Sequence, residues 1–230
     1  MRRIAALIGS GLIALGGCVS PIGERVEPSP TARGATPEPD HLAIAAACLD
    51  RGDESAALPH LMAHVKARPD AVMIRAYLAE LLLKLERVDE SRQHFERYVR
   101  DADGLGGQPR KHLVHCHTRL MEIAQQKNDA FGESLHRGIG LVLMVRQWDT
   151  ETNLIDRKMT EQTLANAATA LRESTRTRPN DPRGFVYLSE VYARLGQPSA
   201  ARATAKRGAA LLPDAALTDD ETTRLTHAAE

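Results

Sequence analysis

Residues of matching character recur 34 positions apart along this chain, and this period constrains the possible fold more than any other feature. Apolar residues follow helical spacing from His41 onward. Two stretches superimpose without gaps, pairing residues 34 positions apart: Gly52 with Glu86, Ala57 with Ser91, Leu61 with Phe95, His64 with Tyr98, and Pro69 with Asp103. Near the C-terminus the same spacing pairs Ala167 with Ala201, Leu171 with Ala205, and Pro179 with Pro213. A repeat of this length predicts stacked helix pairs.

Composition agrees with a helical chain. Aromatic residues make up only 3% of the sequence, which disfavours a β-sandwich or barrel because strands draw on aromatic and β-branched residues. Lys plus Arg and Asp plus Glu number 30 each. If the N-terminal Arg2 and Arg3 are removed with a signal peptide, 28 basic residues face 30 acidic ones, a net charge of about −2, so we expect no recruitment of nucleic acid by charge.

The stretch from Pro182 to Pro213 has the clearest pattern. An aromatic residue opens its first half, a glycine closes that half, and small residues follow before a final proline; in order these positions are Phe185, Leu188, Ser189, Tyr192, Gly196, Ala201, Ala205, Gly208 and Pro213. This block resembles the tetratricopeptide repeat (TPR) family. The resemblance implies an all-α, TPR-like α-solenoid of antiparallel helix pairs, about four pairs plus a C-terminal capping helix. Thr218 to Glu221 has the side chains of a capping box and marks the start of that last helix.

The remaining blocks depart from the pattern. Glu86 stands where the turn between helices usually has glycine, and Pro59 is expected to bend the second helix. Pro69 and Pro179 are 110 residues apart, three periods plus 8, and we expect most of the extra residues in the loop 104–109. Helices are predicted over 110–126, 130–145 and within 152–176. Their glycines, Gly132, Gly138 and Gly140, are expected to serve close packing.

The N-terminus indicates export. Arg2 and Arg3 precede an apolar run, Ile4 to Leu15, that is too short to span a bilayer but fits a signal peptide. Leu15, Gly16, Gly17 and Cys18 resemble the bacterial lipobox, with an ordinary signal peptide and a chance cysteine as the alternative. We therefore expect a signal peptide over 1–17, a disordered proline-rich tether over 18–39 that starts at lipidated Cys18, and the repeat domain over 40–230. Val19, rather than Asp, resembles the outer-membrane sorting pattern in a bacterium with two membranes.

One cluster of potential metal ligands lies in the central region. His112, His115 and Cys116 are three and four positions apart and are expected to share a helix face, whereas His117 is expected to point away from it. The favoured interpretation is that His115 and Cys116 pack between helices, so no metal and no cofactor are expected. Cys48 is expected to be a small core residue, and a disulfide between Cys48 and Cys116 is not expected.

Enzyme signatures are missing from the sequence. The stretch Gly132 to His136 lacks the closing glycine of a nucleophile elbow, and there is no phosphate-binding loop. Together with a repeat fold, this predicts a protein that is not an enzyme.

The family resemblance also implies a concave groove that binds partner proteins. Carried over to this sequence, the groove positions are Met73, Ala76, Glu80, Leu83 and Lys84 in the second block, and Arg183, Tyr187, Glu190 and Arg194 in the last. The alternative is that these residues form ordinary solvated faces. Relatives that grip a chaperone's C-terminal carboxylate use Lys and Asn where this chain has residues such as Ala46, Ala76 and Glu80, so such a partner is not expected.

Two hypotheses for function follow. The first is a lipid-anchored, palmitate-bearing scaffold of the bacterial cell envelope that binds proteins, in the outer membrane if the organism has two. The second is a metal- or small-ligand-binding lipoprotein that uses His112, His115 and Cys116.

Overall fold

A computed structural model describes residues 39–103, 105–150, 156–212 and 217–230. The predicted signal peptide, Cys18 and nearly all of the predicted tether lie outside these residues. The described residues form ten α-helices and no strands. The helices are α1 His41–Asp50, α2 Glu54–Ala67, α3 Val72–Lys84, α4 Val88–Asp103, α5 Gly107–Gln126, α6 Ala130–Thr150, α7 Arg157–Thr177, α8 Arg183–Arg194, α9 Pro198–Ala209 and α10 Asp219–Ala229.

The described residues divide into two compact units, 39–64 in the first and those from 65 to 230 in the second. In the first unit, α1 and most of α2 bury small and aliphatic side chains, among them Ala45, Ala57 and Leu61. Pro59 lies inside α2, which continues through it to Ala67. His41 and His60 are in contact across the two helices, with 3.0 Å between their Nδ1 atoms.

Four turns between paired helices share one backbone geometry. Each contains a residue with positive φ: Gly52 at 78°, Glu86 at 60°, Asn128 at 55° and Gly196 at 71°. In each turn the next residue's N–H donates to a carbonyl five residues back, as Arg87 does to Leu82 and Gln197 to Tyr192, which is a Schellman motif. Glu86 therefore adopts the glycine geometry of its repeat equivalents, at a cost of about 1 kcal/mol.

These turns define four pairs: α1 with α2, α3 with α4, α5 with α6, and α8 with α9. This is the predicted TPR-like arrangement of helix pairs. The last helix, α10, packs on α8 and α9, buries Leu225, and begins with a complete capping box between Thr218 and Glu221. The predicted C-terminal capping helix is confirmed.

The α6 helix serves two neighbours, which the sequence did not predict. It packs along α5 on one side and along α7 on the other, and it also contacts α8. Among the described residues, the α7 helix is not joined to a neighbour by a turn of the shared geometry, and it packs on α6 and on α8. The helices α5, α6 and α7 are 20, 21 and 21 residues long, against 12 each for α8 and α9. The expectation that loop 104–109 holds most of the extra residues is wrong, because only residues 104–106 separate α4 from α5; longer helices take up the additional chain.

Glycines permit the closest helix contacts. A Cβ added to Gly138 in α6 would lie 2.5 Å from Cγ of Leu171 in α7. One added to Gly208 in α9 would lie 2.8 Å from Cβ of Phe185 in α8. The predicted packing role is confirmed for Gly138, and Gly208 has the same role. Gly140 is different, because its nearest neighbour, Cβ of His117, would be at an ordinary contact distance of 3.7 Å.

We predict opposite effects for alanine at two positions of α6. Gly138→Ala forces α6 and α7 apart and should lower the free energy of unfolding by about 1–3 kcal/mol. The structure has room for the methyl group of Gly140→Ala, so this variant should raise the free energy of unfolding by up to about 1 kcal/mol, because alanine favours the helix. Urea unfolding of both variants tests the contact. Equal effects would show that Gly138 is not at a close helix crossing.

Candidate functional site: a C-terminal groove and its arginine cluster

The predicted metal ligands on α5 have different environments. Cys116 is fully buried, whereas His112 is exposed and the His115 side chain is 47% exposed. His117, expected to point away from the packed face, is buried instead and is 5% exposed. Within the described ranges, no group of three His, Cys, Asp or Glu side chains could hold a metal ion. The structure therefore contradicts the metal-site hypothesis for the described residues: Cys116 is buried in the core, His117 contacts His136 of α6, and His112 and His115 stay outside.

Both described cysteines are buried free thiols. Cys48 is 6% exposed, as expected for a small core residue. Burial, with a smaller contribution from the charge of Glu80, raises the pKa of Cys116 to about 12, so this thiol remains protonated and unreactive.

The predicted groove residues of α3 have different environments. Ala76 is buried, and Met73 and Leu83 are partly buried and pack against the core. Lys84 is exposed at the helix end. Glu80 is partly buried and bound to a neighbouring helix. Of this set, only Lys84 extends mainly into solvent.

Glu80 fastens α3 to α5. Its Oε1 lies 2.6 Å from Nε2 of His115 and accepts a hydrogen bond of 3.0 Å from Nε of Arg119. The carboxylate predicted to face a partner therefore links the first helices of two adjacent pairs.

Glu190 has the same role further along the chain. It is 110 residues after Glu80, the same separation as Pro69 and Pro179. Its carboxylate accepts hydrogen bonds from both Nε and Nη2 of Arg146 in α6, and lies 3.3 Å from guanidinium nitrogens of Arg194 and of Arg224 in α10. We call Arg146, Arg194 and Arg224 the arginine cluster. The Glu190 carboxylate therefore links α8, which carries it, to α6 and α10.

Tyr187 lies beneath this cluster and is 3% exposed. The guanidinium carbons of Arg224 and Arg146 are 4.9 Å and 5.7 Å from the centroid of its ring. The structure thus differs from the sequence-based expectation, because the ring that a partner would need is covered by arginines from α6 and α10. Arg183 is also engaged, donating 2.9 Å and 2.6 Å hydrogen bonds to Asp181.

Electrostatics keep Glu190 ionised. Burial acts to raise its pKa, but the hydrogen bonds from Arg146 and the positive charges of Arg146, Arg224 and Arg194 outweigh it, and the net pKa lies below the usual value. Removing this charge would leave three partly buried arginines without their shared partner.

The arginine cluster borders a groove of about 800 Å³ formed by α6, α8, α9 and α10, which we call the C-terminal groove. Its lining includes small or aliphatic residues, among them Val186, Ala193, Ala201 and Ala228. Five arginines and three carboxylates also line it: Arg110, Arg146, Arg194, Arg202, Arg224, Asp149, Glu190 and Asp220. Among the described residues, the side chains of Arg110 and Arg202 form no ion pair or hydrogen bond, so their charges remain available.

Sequence reasoning identified Glu190 and Arg194 but missed Arg146, Arg224, Arg110 and Arg202. Arg146 and Arg110 belong to the irregular central blocks, where no repeat register assigned them to a face. Arg224 follows Glu190 by 34 residues, and this spacing was the available signal.

A second feature that the sequence did not reveal is a buried histidine pair. Nδ1 of His117 in α5 lies 3.1 Å from Nδ1 of His136 in α6, and the two side chains are 5% and 7% exposed. Burial, with the charge of Arg183 second, lowers the pKa of His117 to about 3. Burial also lowers the pKa of His136 well below its usual value, with smaller contributions from His117, Arg183 and Arg92. Both imidazoles are neutral at neutral pH.

None of the described helices is both long and apolar enough to cross a membrane. No protein-family profile and no curated protein sequence matches the chain.

Solved structures with a similar helical arrangement do exist. A thermophilic TPR protein of Thermus thermophilus is 19% identical with a TM-score of 0.39, over 82% of this chain and 79% of its own. MamA is 11% identical with a TM-score of 0.38, over 74% and 95%. YrrB, described as a TPR protein with an unusual peptide-binding site, is 14% identical with a TM-score of 0.34, over 82% and 89%. Likenesses this distant do not assign a function to this chain.

We predict that Glu190→Gln destabilises the protein by roughly 2–3 kcal/mol, because it leaves Arg146 partly buried without its carboxylate partner, whereas Arg194 and Arg224 keep Asp149 and Asp220. Glu173→Gln is the matched control, since its partner Arg176 is 77% exposed and the loss of such a surface pair should be barely measurable. Chemical denaturation at neutral pH measures both. Similar stabilities for the two variants would contradict a structural role for Glu190.

We predict that acid destabilises the protein through the histidine pair. The pKa of His117 is about 3 in the folded chain, against about 6.5 in the unfolded chain, so the unfolded chain binds protons first as the pH falls below about 6.5. Stability present at neutral pH should then decline, by roughly 2 kcal/mol for His117 alone between about pH 7 and about pH 5.

Denaturation across this pH range tests the prediction. The double variant His117→Phe, His136→Leu replaces both imidazoles with apolar groups and should flatten the profile, whereas His112→Ala, at an exposed position, should retain it. An unchanged acid profile in the double variant would overturn the assignment.

Proposed function

We propose that this protein is a membrane-anchored interaction scaffold of the bacterial cell envelope that binds acidic segments of partner proteins in the C-terminal groove. The observation that carries the proposal is the groove itself: an apolar floor bordered by five arginines against three carboxylates, with Arg110 and Arg202 unpaired within the described chain. Arginine beside apolar surface is a combination enriched at protein interfaces.

The partner's chemistry follows from the groove. The arginine cluster is already occupied by Glu190, Asp149 and Asp220, so it contributes rigidity. Arg110 and Arg202 have no such partners among the described residues and provide the net positive charge. A partner segment with carboxylates beside small apolar side chains matches both the apolar floor and the two unpaired arginines. Its apolar residues would cover the alanines, and its carboxylates would pair with Arg110 and Arg202.

The envelope location rests on the N-terminal sequence. A basic start, a short apolar run and Cys18 in a lipobox-like context support lipid attachment. About twenty proline-rich residues after Cys18 would reach roughly 25 Å as a flexible coil, enough to hold the helical domain away from the lipid surface. The proposal assigns no catalytic activity to the protein.

For the groove, we predict that a synthetic peptide of alternating Glu and Ala or Leu binds the full chain more tightly than the same peptide with Lys in place of Glu. The double variant Arg110→Glu, Arg202→Glu should weaken binding of the acidic peptide by about tenfold or more, because attraction becomes repulsion. Fluorescence anisotropy at two salt concentrations measures the affinity.

The control for this prediction is Lys158→Glu, Arg172→Glu, which changes the net charge equally at exposed positions of α7 outside the groove. If control and groove variants lose affinity equally, binding depends on overall charge and the groove assignment fails.

For the anchor, we predict that Cys18→Ser abolishes incorporation of labelled palmitate in bacterial cells and moves the chain from the membrane fraction to the soluble fraction, because no other anchor is proposed. Cys48→Ser, which changes a buried thiol, should retain the label. Continued acylation of the Cys18→Ser variant would overturn the lipid-anchor proposal.

A further inference from the structure

A second cavity lies on a different part of the same unit. Its volume is about 740 Å³, and α4, α5, α6, the connection between α7 and α8, and the start of α10 surround it. Leu135, Ile139, Val99 and Tyr187 form an apolar part of the lining. The buried histidine pair and Arg100 also line it. We call it the histidine cavity.

The histidine pair leaves hydrogen-bonding capacity unused. Two neutral imidazoles joined through their Nδ1 atoms use one N–H donor and one lone pair. One ring therefore retains an Nε2–H donor and the other an Nε2 lone pair. Neither ring has another hydrogen-bond partner among the described residues. The side chains are nine-tenths buried, yet their Nε2 atoms are not among the fully enclosed atoms of the described chain that lack a partner, so these atoms are open at the cavity lining and can bind a polar ligand there.

The acidic groups of the histidine cavity are already engaged. Glu96 accepts a 2.8 Å hydrogen bond from Arg92. Asp181 holds Arg183 through both of its oxygens. Glu221 accepts the N–H of Thr218 at 3.0 Å in the capping box.

Arg100, unlike the carboxylates of the histidine cavity, has no partner among the described residues. Arg100 is exposed at the cavity edge and its side chain forms no ion pair or hydrogen bond with described residues. Its guanidinium group offers up to five N–H donors. Arg100 is therefore a cation in the cavity lining that has no carboxylate partner among the described residues, which favours an anionic ligand.

We propose that the histidine cavity binds a small carboxylate with an aliphatic body, its oxygens accepting from Arg100 and from the free Nε2–H of the histidine pair. The aliphatic part packs against Leu135 and Ile139. The remaining Nε2 lone pair accepts a hydrogen bond from a bound water. Cavities of a few hundred Å³ that combine an apolar wall with a few polar groups are typical small-molecule sites.

The site is separate from the C-terminal groove, because the two share no lining residue. It does not depend on the proposed scaffold function. A ligand held here would contact α4, α5 and α6 together with the connection before α8, and would therefore stabilise their packing.

The test uses the full chain with isovalerate as the probe and isovaleramide, its uncharged equivalent, as the comparison. Isothermal titration calorimetry at neutral pH should show one site for isovalerate and affinity for the amide weaker by about tenfold or more. In imidazole ¹⁵N spectra, the signals of His117 and His136 should shift with isovalerate. The exposed His112 should not shift.

Two single variants test whether Arg100 is the residue that binds the carboxylate of isovalerate. Arg100→Gln should weaken isovalerate binding by about tenfold. Arg97→Gln, one turn away on α4 and outside the cavity lining, removes the same charge and should leave the affinity unchanged. Arg110→Glu, Arg202→Glu should also leave it unchanged, which separates this site from the groove.

Several results would overturn the proposal. One is the absence of any heat from isovalerate, which would mean that the cavity holds only water. Equal affinity for acid and amide would exclude recognition of the charge. Unchanged binding by Arg100→Gln, or histidine signals that do not move, would place the acid elsewhere.

Discussion

The close approach of α6 to α7 is the contact on which the C-terminal half of the structure depends. Gly138 has no Cβ, and a methyl group there would overlap Leu171 at 2.5 Å. Because α6 already forms a pair with α5, this contact lets one helix serve two neighbours. The position of α7 determines where α8 begins, and α8 carries Glu190, Tyr187 and the floor of the C-terminal groove. Residues of α6 and α8 line both cavities, so this packing positions two of their walls.

Two carboxylates at the same repeat position then hold successive helices together. Glu80 joins α3 to α5, and Glu190 joins α8 to α6 and α10. Such partly buried ion pairs contribute little net stability, since desolvation offsets much of the attraction, but losing one partner is costly. Their effect is to fix the spacing of adjacent helices. That spacing decides how wide a groove remains for a partner segment.

Histidines occupy the position that corresponds to Phe185 in other helix pairs, when positions are counted back from the positive-φ residue of the turn. His117 stands two periods before Phe185, and it contacts His136, 19 residues later in the chain. His41 and His60 repeat this contact in the first unit with the same separation. In the intervening pair Arg75 and His94 occupy the corresponding positions, and burial together with the Arg75 charge lowers the pKa of His94. The chain thus places polar rings at a position where an apolar ring would pack, which imposes a hydrogen-bonding requirement on its core.

Much of the architecture was determined by the sequence alone. The 34-residue spacing of small and apolar residues predicted the helix pairs, the glycines at 52 and 196 marked two of the four turns, and Thr218 with Glu221 marked the last helix. These are local properties, since helix periodicity, turn conformation and capping depend on residues a few positions apart.

The tertiary structure decided which side of each helix is buried. Adjacent residues on a helix point about 100° apart, so a small rotation of α5 under α6 places Cys116 and His117 inside and leaves His115 outside. Tyr187 is covered for the same reason: Arg146 and Arg224 come from helices distant in sequence, and only the packing of α6 and α10 on α8 brings them over its ring.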